Sequence, residues 1–391
     1  MSSRNAKPPV SAEASLIISC CRDFLRTRSL HNLPDAASGI NWDTAIHLAD
    51  IHSVTPILFS SLKQRAEKEK IPDPLHACFQ ANARKNLTLA SELLKILALL
   101  QAEGVTAIPL KGPMLAVQVY GNLCLRAFSD LDLLIRPVDV PRARDVLLSN
   151  GYSTNWALPS SADSAWLKIK EQQLSFVQAN ESVLVDLHWG LLPDYCGGAL
   201  DLESVWSRKQ AIPFGGQVVP TLSPEDLLVY LCAHGGKHLW ARLGWICDIA
   251  ALIEARRDMN WTVALATAKR HEARRVVRVG LQLVSQMFGT QLPDEVVRWM
   301  RGDAGTASLA RDIENRLFPD PRPHQSSWEA CRLNLRMMQG LANKIRYFAG
   351  IVITPGEAEW RILRLPSWLY PLYYPFRMAR MVARFAWFGR R

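Results

Sequence analysis

Asp130 and Asp132 stand two apart at the start of the apolar run Leu131–Ile135. On a β-strand alternate side chains share a face, so this spacing points both carboxylates the same way. Two carboxylates that close repel, and without a cation one of them takes up a proton. A hard divalent cation removes the conflict. Mg²⁺ suits it because it accepts one or two carboxylates together with phosphate oxygens of a substrate. A third acid, Asp186, lies in the run Val183–Trp189. If that run pairs beside Leu131–Ile135, three carboxylates converge. They suffice for two ions, one on a triphosphate and one near an attacking hydroxyl, with Asp186 placed to accept that hydroxyl's proton.

Upstream, Lys111-Gly112-Pro113 sits between a short apolar strand and a helix. Glycine lets backbone N–H groups approach a phosphate, and a helix N-terminus adds partial positive charge. Lys111, Gly112, Arg126 and Ser129 are therefore the phosphate-binding candidates. D-x-D alone is a weak signal, because Asp130 and Asp132 could equally cap the strand and pair with Arg126 or Arg136, and Asp186 could face solvent. The order strand, K-G turn, helix, S-D-L-D-L-L, then an acid on a later strand is more specific.

These residues need a scaffold. Val105–Leu110, Leu131–Ile135, Gln173–Gln178 and Val183–Trp189 read as strands, the last two joined around Ala179-Asn180-Glu181. Met114–Tyr120 and Val140–Ser149 read as helices. The result is a compact α/β unit at residues 104–190. Helices surround it: Trp42–Leu62 and His76–Glu103 before, the latter with Leu87, Leu93, Leu94, Leu97 and Leu100 on one face. After it come a hairpin candidate at Ala211–Pro220, a helix from Ser223 through Glu254, then Trp261–Phe288 and Asp294–Met300. The expected division is 1–103 helical, 104–220 α/β core, 221–310 helical, and 311–391 a helical extension. The fold class is α/β (α+β), a small mixed sheet flanked by helices.

The stretch Leu227–Glu254 carries His234, His238, Arg242, Trp245 and Asp248 at three- and four-residue steps, one stripe of a continuous helix. The two histidines lack the intervening glutamate of a zinc helix. The stripe either flanks an active site or is a hydrogen-bonded helix interface in which Asp248 fixes Arg242 or a histidine.

On Leu110-Lys111-Gly112, Tyr120-Gly121, Arg126, Ser129–Leu134, Gly151-Tyr152, Asp186–Trp189 and the 234–248 pattern, the sequence resembles the DNA-polymerase-β-type nucleotidyltransferase superfamily. Within it, the chain looks like the uncharacterised nucleotidyltransferase group of bacterial proteins. Many of that group lie beside polysaccharide-biosynthesis genes. The resemblance spans about residues 42–255. It implies Asp130, Asp132 and Asp186 as metal ligands for two Mg²⁺ ions. It also implies transfer of a nucleoside monophosphate from an NTP such as ATP to a hydroxyl acceptor, and His188, His234, His238, Arg242 and Asp248 on the substrate side. One departure is the superfamily's Gly-Ser turn, which is Lys111-Gly112-Pro113 here.

Composition sets the limits. The 391 residues are 49% hydrophobic and 21% charged, which excludes a disordered or collagen-like chain. No apolar run reaches the ~18 residues that span a bilayer, and no leader pattern opens the chain. A cytoplasmic protein is expected, with its eight cysteines as free thiols. Of the net +10, seven charges come from arginines in Trp360–Arg391, a segment without acids and rich in aromatics. Such a segment suits the inner face of an anionic membrane or a protein partner; nucleic acid fits less well, since the rest of the chain is nearly neutral. Two rival functions stand beside nucleotidyl transfer: a D-x-D glycosyltransferase, and a non-catalytic nucleotide-binding or membrane-peripheral adaptor.

Overall fold

Leu131, Leu133, Val185 and Leu187 are all fully buried, and strand alternation puts the intervening acids on the opposite face of the sheet. A computed structural model describes residues 11–27, 39–64, 71–154, 172–178, 183–191, 202–318, 327–353, 359, 362, 363 and 365–388. The sheet has five strands: β1 (Ile108–Pro109), β2 (Asp130–Leu134), β3 (Tyr152–Ser153), β4 (Gln173–Gln178) and β5 (Leu184–His188). Their order is β1-β2-β5-β4-β3. β2 and β5 run parallel, and the other three pairs are antiparallel. The strand expected over Val105–Leu110 is thus reduced to two residues, and the turn at 179–181 lies outside the described residues.

The apolar face of the sheet packs on two helices, α4 (Asp73–Ala102) and α6 (Val140–Ser149), through Leu93, Ile96, Leu97, Leu100, Ala143 and Leu147. Leu87 is 60% exposed, so the expected leucine face of α4 begins later than its spacing suggests. Helix α5 (Gly112–Tyr120) joins β1 to β2. A second hairpin, β6 (Gln210–Phe214) and β7 (Gln217–Thr221), turns at Gly215-Gly216 as expected. It leans on β1 and on α4, where a Cβ at Gly215 would lie 2.4 Å from Leu94.

The helical part forms a larger cluster from α1 (Ala12–Thr27), α2 (Trp42–Ile51), α3 (Thr55–Lys63), α8 (Pro224–Lys237), α9 (Leu243–Ala255), α10 (Trp261–Arg270) and α11 (Arg274–Phe288). The helix that links the two hairpin strands to β5, α7, spans Leu202–Arg208. Three expected helices are each two. The break in 42–62 falls at Ser53, that in 261–288 at Glu272, and that in 227–254 at Leu239 and Trp240, all with positive φ. The cause of the last is visible. Trp240 is fully buried, and its ring fills the space left by the missing side chains of Gly235 and Gly280. Burying that indole outweighs two residues in the left-handed region.

Further helices follow: α12 (Asp294–Arg301), α13 (Ala304–Leu317), α14 (Ser327–Met337), α15 (Leu341–Ile353) and α16 (Tyr373–Phe388). Buried Tyr370 and Tyr373 join the cluster beneath the sheet. Arg377 Nη1 and Arg380 Nε bind the buried carboxylate of Glu359 at 2.9 and 2.6 Å. The seven described cysteines are free, four of them buried. No described helix is long and apolar enough to cross a membrane.

Gly235→Ala would place its methyl 2.5 Å from Trp240 Cζ3. Overpacking of this kind costs about 1–3 kcal/mol, expected as a lower urea midpoint. A wild-type midpoint would show that the indole does not hold the break.

Candidate active site

The register of β2 on β5 sets Asp132 directly beside Asp186 and Leu134 beside His188. Both acids are more than nine-tenths buried. One ligand atom from each of Asp132, Asp186 and His188 lies within 4.8 Å of the other two. Lys111 Nζ stands 2.9 Å from Asp132 Oδ2, and His188 Nε2 donates to Asp132 Oδ1 at 3.0 Å. Burial opposes charge on Asp132, but Lys111 and His188 outweigh it and hold the carboxyl well below the ordinary range. At Asp186 the balance is reversed, although His188 favours the charge there too. Burial, then the charge of Asp132 working against a hydrogen bond from Ser175, pushes its pKa up. Its Oδ1 is buried without a hydrogen-bond partner among the described residues. Two carboxylates and an imidazole nitrogen around an unsatisfied oxygen fit a divalent cation: the oxygens suit Mg²⁺, and the nitrogen is tolerated by softer ions.

The K-G turn is shaped by Gly112, which has φ +61° and would bring a Cβ to 3.4 Å from the Asp130 carbonyl. A side chain there would be strained and would crowd the strand that carries the acids. Beyond α5, Gly121 ends the helix in the left-handed region, and a 3₁₀ turn at Leu123–Leu125 leads to Arg126. Buried Asn86 of α4 ties this loop down, its Nδ2 donating to the carbonyls of Leu123 and Arg126 at 2.7 and 2.8 Å. The Arg126 guanidinium forms a two-pronged pair with Asp248 of α9, Nε and Nη2 each donating at 2.9 Å. Tyr120 Oη donates to the same carboxylate at 2.8 Å.

A cleft of about 270 Å³ opens between this edge of the α/β unit and α8–α9, lined among others by Lys111, Arg126, Asp130, His234, Arg242 and Trp245. Its rim is made where two helix breaks meet. Leu243 N donates to His52 Nδ1 and Gly244 N to the His52 carbonyl, while Arg242 Nη1 reaches Ser53 Oγ at 3.4 Å. The rings of His234, His238 and Trp245 lie 4.7–5.5 Å apart, and the Arg242 guanidinium sits 5.6 Å over the indole.

A family model described as uncharacterised nucleotidyltransferase matches residues 38–289. The chain belongs to that family. No curated protein matches the chain.

The matched segment of this nucleotidyltransferase family covers the sheet, the acids and the cleft. Of the sequence-expected residues, Asp132, Asp186 and His188 come together. Asp130 lies outside that tight group, half-buried on the same strand face at the lip of the cleft. Ser129 is exposed on the cleft wall. His234, His238, Arg242 and Trp245 share the cleft although the helix beneath them is broken. Asp248 lines the cleft as well, but its oxygens are taken by Arg126 and Tyr120, not by Arg242 or a histidine. Sequence spacing missed Ser53 and Tyr230, and gave Tyr120 no role beyond its place in the family resemblance. Burial, then the charges of Asp132, Asp130 and Asp186, raises the Tyr230 hydroxyl well above its usual range. No local pattern marks Ser53 or Tyr230, because only the packing of distant helices brings them here.

Burial first, then Lys111 and His238, keeps the His234 imidazole neutral far below its ordinary pKa. The unfolded chain binds that proton below about pH 6.5 and the folded chain does not, so stability falls as pH drops through this window. Urea denaturation is expected to show a smaller loss between about pH 7 and pH 5 in His234→Gln than in wild type; equal losses would contradict the assignment.

Proposed function

We propose that the protein is a Mg²⁺-dependent nucleotidyltransferase that moves a nucleoside monophosphate from an NTP to a hydroxyl acceptor. The observation that carries the reading is the parallel register that pairs Asp132 with Asp186 beneath the Lys111-Gly112 turn, in a chain of a nucleotidyltransferase family. Asp132 and Asp186 would hold the metal, with Asp130 at the lip completing the carboxylate set for a second ion. Bound there, Mg²⁺ supplies charge neutralisation for the phosphates. Lys111, the Gly112 backbone, Arg126 and Ser129 bind and orient the triphosphate. The acceptor oxygen forms a bond to the α-phosphorus, the bond from the α-phosphorus to the bridging oxygen breaks, and pyrophosphate leaves. The acceptor's proton goes to Asp186, whose Oδ1 has no other hydrogen-bond partner among the described residues. His234, His238, Arg242 and Trp245 form the wall on the substrate side. A carbohydrate hydroxyl is the acceptor class that a link to polysaccharide biosynthesis suggests.

The glycosyltransferase alternative is less favoured because Asp130 opens a strand and Asp132 pairs laterally with an acid on the next one. Asp132→Asn and Asp186→Asn are each expected to lower pyrophosphate release by about a hundredfold or more; Asp132→Asn, which leaves buried Lys111 without its counter-charge, should also lower the thermal midpoint, and Asp186→Asn should not. Wild-type turnover in either variant, or release of nucleoside diphosphate instead, would defeat the proposal.

A cytoplasmic location at the inner face of a membrane also belongs to this reading. Leu341, Ile345 and Phe348 form an exposed stripe on α15, and Trp368, Leu372 and Met378 are exposed on the neighbouring segment that leads through α16. The arginine surplus of 360–391 complements anionic lipid. The protein is expected to sediment with phosphatidylglycerol vesicles and not with phosphatidylcholine alone, and Trp368→Ala with Leu372→Ala should reduce the bound fraction severalfold. Equal sedimentation with both lipids would rule out charge-assisted docking.

A further inference from the structure

Arg126 has five N–H donors in a rigid fork, and the fold restrains it from two sides. Its backbone carbonyl is held by Asn86. Its Nε and Nη2 are held by Asp248, whose carboxylate is fixed in turn by Tyr120. Arg126 is 9% exposed and the Asp248 side chain 3%, so this is a buried ion pair with little freedom. The remaining face is different. Arg126 Nη1 is buried and has no hydrogen-bond partner among the described residues. An unmet buried donor costs about 1–3 kcal/mol, and a charged one more. Proteins keep such a group where a ligand or ion completes it.

The surroundings say which ligand. Arg126 forms part of the cleft together with Lys111 and Arg242. The acids there are Asp130 at the lip and Asp248, whose oxygens are already engaged. A ligand that meets a planar guanidinium edge and two further cations is a multiply charged oxyanion. We infer that the free edge of Arg126 anchors a phosphate subsite between the α/β unit and α9, with Asp248 and Tyr120 as positioning residues. This rests on the nucleotidyl-transfer reading for its choice of phosphate over other oxyanions. It reassigns Asp248: that residue holds the arginine's orientation and does not touch substrate. It also gives the α5–β2 loop and α9 a shared purpose, since neither alone keeps the guanidinium edge turned inward.

The phosphate could be the tail of the NTP or a phosphate carried by the acceptor. Both offer the same chemistry to Nη1. Isothermal titration of the full chain in buffer containing MgCl₂, with sodium tripolyphosphate and sodium phosphate as separate probes, tests the subsite without requiring turnover. Wild type is expected to bind tripolyphosphate. Arg126→Lys keeps the charge but loses the fork, and Asp248→Asn loses the charged brace; each should weaken binding tenfold or more. Tyr120→Phe keeps the ring that stacks on Phe24 and loses only the brace on Asp248. It should weaken binding about two- to tenfold, less than the full worth of a hydrogen bond to a charged group because it acts through Asp248, with no change in thermal midpoint. A purely structural hydroxyl would instead lower the midpoint and leave anion affinity alone.

A non-hydrolysable NTP that displaces tripolyphosphate identifies the subsite as the NTP tail. Simultaneous binding of the NTP and inorganic phosphate, with only the phosphate lost in Arg126→Lys, identifies it as the acceptor's. Failure of wild type to bind either probe, or wild-type affinity in Arg126→Lys and Tyr120→Phe, would overturn the inference. Loss of pyrophosphate release with intact Arg126-dependent anion binding would overturn only the catalytic reading.

Discussion

Two aspartates on adjacent parallel strands, each almost excluded from water, set the problem that the surrounding structure answers. Their mutual repulsion grows as water is removed, and burial alone would neutralise both. One is kept charged by a lysine at 2.9 Å and a histidine at 3.0 Å. The other keeps an oxygen without a hydrogen-bond partner among the described residues. That asymmetry suits the cation site proposed above, and the lysine that keeps one carboxylate charged sits at a turn whose glycine has a positive φ. Moving the turn by a residue would remove the counter-charge and leave a buried carboxylate alone, a change that costs several kcal/mol in known cases.

The helices matter because they finish a site that the sheet only begins. α9 supplies the acid that braces Arg126, α8 brings His234 to the cleft, and the elbow between α2 and α3 docks on the elbow between α8 and α9. Each elbow contains residues in the left-handed region, and each satisfies backbone groups of the other. Strain in two places is thus offset by one interface. The interface lies on the rim of the cleft.

Much of the sheet was legible from residue order alone. Gln173–Gln178 matches in full, Leu131–Ile135 and Val183–Trp189 match within two residues, and the juxtaposition of Asp186 with Asp132 follows from them. Alternation with one polar face is a strong local signal, so these strands announce themselves. The helix breaks do not. His52-Ser53 and Leu239-Trp240 carry no proline, and the glycines that make room for Trp240 stand five residues before it and forty after it. Helical spacing therefore continued through both joints. It still grouped His234, His238, Arg242 and Trp245 correctly, because the interrupted chain resumes on the same side. Asp248 was legible as an important acid but not as the partner of Arg126, since 122 residues separate them.

Tyr370 and Tyr373 lie in the same buried cluster as Leu133, Val185 and the helices under the sheet, although they come far downstream in the chain. A contact that bridges so long an interval closes a large loop late. During synthesis the acids can be assembled on their strands well before the layer behind them is sealed. Maturation of the half that carries the candidate site would then wait for its distal segment, so a stalled or clipped polypeptide would carry every candidate ligand and still lack the backing that keeps them rigid.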